Sequence, residues 1–270
     1  MSESVTLAPG RRRAATPPWL GVALAIAITT TMDATGLSDF SALPLLPLTL
    51  LLWWRDRMSP RALGLRWGPA RAYLLAVVYP VLVMAPLAAL AAAAGAADLA
   101  QVEWGKAWAN VALVGGSTIL AAMLTEEGFF RGWLWASLAG TGRTPAAVLA
   151  WSSAAFSLWH LSAVALDTGF DLPAPQIPVF LANAALLGAA WGLLRSLSGS
   201  LVVASVSHGV WNGLAYALFG FGDRVGAVGI ADTAIYGAEA GVLGLALNAA
   251  VVLALLAWHR RRADASPVRP

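Results

Sequence analysis

The sequence predicts an all-α polytopic membrane protein of about eight transmembrane helices, with both termini in the cytoplasm. Three observations lead there. The 270 residues are 59% hydrophobic and only 11% charged, against roughly 25% charged in an ordinary soluble domain. The apolar residues fall into eight runs, at 18–36, 40–54, 71–95, 107–138, 145–165, 177–194, 199–219 and 240–258. The loops between them alternate in charge. Arg11–Arg13, Arg55, Arg57, Arg61, Arg66, Arg71, Arg143, Arg195 and Arg260–Arg262 occupy one set of connections and the ends. Asp39, Asp98, Glu103, Asp167, Asp171, Asp223, Asp232 and Glu239 occupy the other set, with Lys106 and Arg224 as its cations. Cytoplasmic loops collect Lys and Arg, so the alternation orients the chain.

The first run follows three arginines and is long enough to span, so it reads as a helix and not as a cleavable leader. The second is the weakest, being short for a span of about 20 residues and containing Pro44 and Pro47. Without it, however, the basic N-terminus and the basic loop 55–71 would face opposite sides. The fourth run exceeds what a bilayer needs, so tilt or extension into the cytoplasm is expected. Gly188 and Gly192 in the sixth make a small-residue pair suited to close helix packing. Tryptophans at 19, 53, 54, 104, 108 and 258 sit near span ends, as interfacial anchors do. Asp33 is expected at the interface, and Trp159 and Trp211 in packing. Three regions follow: a basic, disordered tail at 1–17, one membrane domain at 18–258 with its motif core at 107–219, and a basic tail at 259–270.

The net charge of +3 is explained by loop arginines that set orientation, so it implies no nucleic-acid partner. The lipid bilayer is the partner expected from composition. With no cysteine, disulfides, thiolate nucleophiles and Cys-based metal sites are excluded.

Ionisable side chains within the spans are costly and mark function. They occur in three places. Segment four carries Glu126, Glu127 and Arg131; segment five carries His160; segment seven carries His208 and Asn212. Glu127 and Arg131 are four apart and share a helical face, which suits an ion pair. Glu126 sits about 100° round the helix, outside that pair. At about 1.5 Å per residue, Glu126, His160, His208 and Asn212 all lie roughly 13–23 Å from the cytoplasmic ends of their helices. They can therefore meet in one layer. His259, the third histidine, falls in the basic C-terminal end.

A carboxylate, two imidazoles and an amide in a wet pocket suit water activation. Glu126 can act as general base and His160 can hold the water. His208 and Asn212 can donate to an oxyanion. Equally, Glu126, His160 and His208 can hold a Zn²⁺ ion that polarises the carbonyl. The chain lacks HExxH, so the residues alone do not choose. Ser157 and Ser207 lie near the histidines without a triad partner.

Glu126-Glu127-x-x-x-Arg131, Phe156-x-x-x-His160 and His208-x-x-x-Asn212, in this order on separate helices, resemble the three-motif signature of the CAAX-protease and bacteriocin-processing (CPBP, ABI) family of intramembrane endopeptidases. That family includes the type II CAAX prenyl proteases. The resemblance implies an eight-helix fold and Glu126 as catalytic base, with His160 placing the water. It also implies that His208 and Asn212 stabilise the oxyanion or contribute to a metal site, with Glu127 and Arg131 in support. The expectation is hydrolysis of a membrane-associated peptide or protein at the cytoplasmic side. The alanine-, glycine- and arginine-rich composition points to a GC-rich bacterium and its plasma membrane. Two alternatives remain at this point: a non-proteolytic immunity or peptide-binding relative, and a small transporter using the Glu/His cluster. The second lacks an internal repeat.

Overall fold

A computed structural model describes residues 15–264 other than 171 and 223. Arg11–Arg13, Asp171, Asp223, most of the expected N-terminal tail and half of the expected C-terminal tail lie outside the described residues.

Helices dominate, and their limits follow from local chemistry. Helix α1 (Pro18–Ala34) begins with proline at its first position, where no amide hydrogen is needed. Helices α2 (Leu45–Asp56) and α3 (Pro60–Leu63) precede α4 (Ala70–Ala93). Helix α5 (Trp104–Leu124) runs into a π-helical turn, Gly128–Leu134, and then α6 (Trp135–Gly140). Helix α7 (Pro145–Trp159) is capped by the Thr144 hydroxyl, which accepts from Ala147 N at 3.2 Å. It continues through His160 into the short α8 (Leu161–Ala165). Helix α9 (Ile177–Ser198) ends on Gly199 at φ +67°, a left-handed position that favours glycine. Ser200 then caps α10 (Leu201–Leu214), which passes into a second π-helical turn, Ala215–Phe219. A minimal hairpin, β1 (Gly220–Phe221) and β2 (Arg224–Val225), leads to α11 (Thr233–Tyr236) and α12 (Val242–Asp264).

Six of these helical stretches are long and apolar enough to cross a membrane: 70–93, 104–140, 145–165, 174–198, 201–219 and 242–261. The protein is a polytopic all-α membrane protein. Helix α1 has 17 residues and α2 only 12, about 18 Å at 1.5 Å per residue. The weak second segment is therefore a real helix, though short by itself for a bilayer. Helix α12 continues to Asp264, past the tail boundary expected at 259.

Connections gather at two ends. At one, Ser38 donates to the Thr168 carbonyl, Ala231 N donates to Ala96 O, and Phe170 packs edge-on against Phe221. At the other, the Ser200 hydroxyl donates to Arg66 O, Leu201 N to Gly64 O, and Arg195 Nη2 to Ala62 O. Asp56 joins this second end, accepting from Thr16 and from Trp133 Nε1 at 2.9 Å. The connections read as acidic thus meet at one end, and those read as basic at the other. Helix α2 links the two despite its length. Trp19, Trp54, Trp104, Trp108 and Trp258 are exposed, whereas Trp53 donates to Met58 O. Asp33 differs from expectation: it is buried, and neither carboxylate oxygen has a partner among the described residues.

Helix α10 is the centre, packed against α5, α4 and α9. Glycine makes its approach to α5 possible. A Cβ at Gly209 would stand 2.6 Å from the Gly115 carbonyl oxygen, and one at Gly213 would stand 2.7 Å from the Val111 carbonyl oxygen. Gly188 and Gly192 do the same for α9, where a Cβ would meet Ser153 Cα at 3.0 Å and Leu149 Cδ1 at 2.6 Å.

Candidate active site

The site begins at a break in the fourth segment. Thr125 leaves helical geometry (φ −109°, ψ −93°) and its hydroxyl bonds back to Ala121 O at 2.8 Å. The π-helical turn follows within three residues. Such turns are rare and concentrate at functional sites. Between the break and the turn, the two adjacent carboxylates part company. Glu127 is fully buried, and its Oε1 lies 3.0 Å from Arg131 Nη1 and 3.1 Å from His208 Nδ1. Glu126 is 17% exposed and faces a cavity.

Arg131 is fully buried as well. Besides Glu127, its guanidinium sits over Phe156, 4.2 Å from the ring centroid, and beside Trp191 at 5.3 Å. Aromatic faces attract a desolvated cation, so the pair is held by rings as well as by its own charge. Phe156 also supplies the carbonyl that contacts His160 Nδ1 at 2.9 Å, and its ring packs edge-on against His160. That dual use explains phenylalanine four residues before the histidine. Trp191 stacks on His208 with centroids 3.9 Å apart and planes 11° from parallel.

These partners fix the neutral tautomers. A backbone carbonyl can only accept, so His160 carries its hydrogen on Nδ1. Glu127 imposes the same on His208. Both Nε2 atoms are then acceptors, and both face Glu126 Oε2, at 3.9 Å from His160 and 4.0 Å from His208. A water donating one hydrogen to Glu126 and one to His160 at about 2.8 Å each would subtend about 90°. Its lone pairs would stay free. The three atoms line a cavity of about 50 Å³ with Asn212, Tyr216, Trp191 and Glu239, room enough for water. The Asn212 side chain has no hydrogen-bond partner among the described residues. All four residues expected to carry the chemistry are thus brought together, and Glu127 and Arg131 stand directly behind them.

The zinc alternative fits less well. Among the described residues, no three His, Asp or Glu side chains form a metal-holding group. Separations of 3.9 and 4.0 Å exceed the about 3.3 Å between ligand atoms on a tetrahedral Zn²⁺ with bonds near 2.0–2.1 Å.

Two larger cavities adjoin the reactive one. A cavity of about 230 Å³ shares Glu126, His160, Phe180 and Tyr216 with it, and extends along Trp159, Phe170 and Phe221 to Ser38, Asp39 and Ser41. A polar cleft of about 550 Å³ runs from Tyr216 to Glu103, Lys106, Asn110 and Arg224. Both lead to the end where the acidic connections gather, not to the arginine-rich end.

Residues 107–214 match the family model for Rce1-like proteins, described as type II CAAX prenyl endopeptidase Rce1-like. Over these residues the chain is similar to type II CAAX prenyl endopeptidases. The Rce1-like region contains all three motifs, from Glu126 to Asn212. No curated protein and no solved structure gives a match.

Two site residues escaped the sequence reading. Tyr216 lies outside the Rce1-like region, four residues beyond Asn212 and eight beyond His208, so the same helical face simply continues into the second π turn. By sequence Glu239 belongs with the acidic connections. It is instead buried and accepts from Trp211 Nε1 at 2.8 Å. Its distinguishing signal is the apolar run Gly237-Ala238-Glu239-Ala240-Gly241, which no solvated loop acid needs.

Proposed function

We propose that this protein is an intramembrane endopeptidase that hydrolyses a peptide bond with water activated by Glu126. The observation that carries the reading is the set of three acceptors, Glu126 Oε2 and the Nε2 atoms of His160 and His208, converging on a water-sized cavity. Water donates one hydrogen to Glu126 and one to His160. Glu126 removes its proton as the oxygen attacks the carbonyl carbon. The Asn212 amide donates to the developing oxyanion. His208 joins it when Nε2 carries a proton, with Glu127 offsetting the imidazolium charge from the Nδ1 side. Arg131 and His208 both contact Glu127 Oε1, so Arg131 helps to position the Glu127 carboxyl that orients His208. No step passes through a metal.

A cavity of 50 Å³ is too small for a peptide, so the 230 Å³ cavity that shares Glu126 and His160 is the proposed substrate entrance. Its aromatic walls suit an apolar segment of a membrane-associated peptide. With the arginine-rich end in the cytoplasm, this entrance faces away from it, which revises the expected cytoplasmic cut. The composition supports a bacterial plasma membrane as the setting.

The test compares protein termini in host membranes carrying wild type or Glu126→Gln at matched expression. New termini made by wild type alone are expected. Identical termini, with every phenotype retained by Glu126→Gln, would overturn the protease reading in favour of binding or transport.

A further inference from the structure

Three buried polar side chains outside the motifs form a chain through the middle of the protein, ending on backbone carbonyls. Tyr79 on α4 donates to Asn248 Oδ1 on α12 at 2.6 Å. Asn248 Nδ2 donates to Asn183 Oδ1 on α9 at 2.7 Å. Asn183 Nδ2 then donates to the carbonyls of Ala238 and Glu239, each at 3.2 Å. Tyr79, Asn183 and Asn248 are completely buried. Interhelical hydrogen bonds of this kind add little stability in a membrane, so stability alone is a weak reason to keep such a relay. What the relay does is pin the backbone of the connection before α12. It thereby holds the Glu239 side chain against the reactive cavity, which Glu239 lines beside Glu126, His160, His208 and Asn212. Trp211, stacked on Tyr79, occupies Oε1. The other oxygen, Oε2, is buried without a partner among the described residues.

We propose that Glu239 is a second catalytic carboxyl, the proton donor to the leaving amine. The proposal rests on the protease reading above. Glu126 gains a proton from water as the C–O bond forms. When the tetrahedral intermediate collapses, the C–N bond breaks, its electron pair stays on nitrogen, and Glu239 transfers its proton there. The products are an amine and a carboxylic acid, with Glu126 protonated and Glu239 ionised. Water in the cavity returns the proton from one carboxyl to the other and resets the site. Two carboxylates whose surroundings push their acidities apart divide base and acid roles in this way. Burial, with Glu126 nearby, lifts the Glu239 carboxyl to about 7, opposed by the Trp211 hydrogen bond and His208. The groups that face it are Glu126, His208, Tyr216 and, from α4, Tyr79; His160 shares the cavity.

The experiment has two arms, both with the full-length protein in lipid vesicles. Infrared titration of wild type should show a carboxylic-acid C=O band that disappears near neutral pH. The band should persist in Glu126→Gln and vanish in Glu239→Gln. Its persistence in Glu239→Gln would overturn the proposal. In the second arm, a pool of internally quenched peptides reports cleavage. Glu239→Gln, which still offers an acceptor to Trp211, should lose about 10²-fold in kcat, leave KM within about twofold, and lose the alkaline limb of the pH profile. Glu239→Asp should restore the limb at a shifted position, and it serves as the test should Glu239→Gln fail to insert. Cleavage by Glu239→Gln or Glu239→Asp with wild-type kcat and an unchanged profile would overturn the donor role while leaving Glu126 as base. Wild type and Glu126→Gln cleaving alike would instead sink the protease reading, and the infrared arm would still report where the proton resides.

Discussion

Glu126 and Glu127 are neighbours in sequence and opposites in environment. One faces water-sized space, and the other is sealed against Arg131 and His208. Their substitutions should therefore fail differently. Glu126→Gln keeps shape and removes the proposed base, so cleavage should fall by about 10²–10⁴-fold with thermal unfolding unchanged. Arg131→Met leaves the buried Glu127 carboxyl without its cation and should cost about 3–5 kcal/mol, read as a large drop in thermal midpoint. The double variant Glu127→Gln/Arg131→Met should recover most of that loss, and a midpoint no higher than Arg131→Met alone would contradict the pairing argument. Glu239 adds a pH signature. Its carboxyl is raised in the folded state, so its contribution to stability is full below the unfolded value and is lost as pH rises through about 7. Wild type should lose stability between about pH 5 and pH 8, and Glu239→Gln should flatten that slope. The motif residues were legible in the sequence because a charge in an apolar helix has few bland explanations. Glu239 was not, because its burial depends on Asn183, Asn248 and Tyr79, residues distant in sequence whose alignment only tertiary structure creates.

The helices show the same division. Ridges of apolar residues placed most spans correctly, and Thr144-Pro145 and Ser198-Gly199-Ser200 mark starts and stops that local chemistry dictates. The two π turns were not legible. A π turn inserts one residue into helical phasing without a composition of its own; around the first, Glu127, Arg131 and Trp133 are all fully buried. The Gly209-x-x-x-Gly213 pair was present in the sequence but masked by the His208 and Asn212 it interleaves. Its importance is testable. Gly209→Leu or Gly213→Val should prevent α10 from closing on α5 and abolish folded, extractable protein. By contrast Gly116→Ala, at a position where an added Cβ meets nothing within 4 Å, should be neutral. Normal yield and thermal midpoint in Gly213→Val would show that the helices approach less closely than described.

Across the whole molecule, charge alternation foretold which connections share an end, and the contacts of Ser38 with Thr168 and of Ser200 with Arg66 follow that division. What charge counting could not foresee is which end the cavities reach, since that depends on how Phe170, Phe180, Tyr216 and Phe221 pack. The native chain has no cysteine, so single cysteines report sidedness cleanly. A membrane-impermeant maleimide applied to intact cells should label Asp39→Cys and spare Arg143→Cys; the reverse would invert the proposed orientation. Cleavage by the purified protein should withstand strong chelators, because the Glu126–histidine separations suit bridging water better than an ion. Chelator-sensitive activity restored by Zn²⁺ would reverse that assignment.

The aromatic-walled entrance beside Glu126 also has a meaning in time. If it opens away from the arginine-rich end, a polypeptide cannot present its scissile bond while still emerging from the ribosome. Export or insertion comes first and cleavage second, and the fragments are born on the outer side of the membrane. On the reading proposed above, such a protease would act as a finishing step on peptides already delivered across or into the membrane.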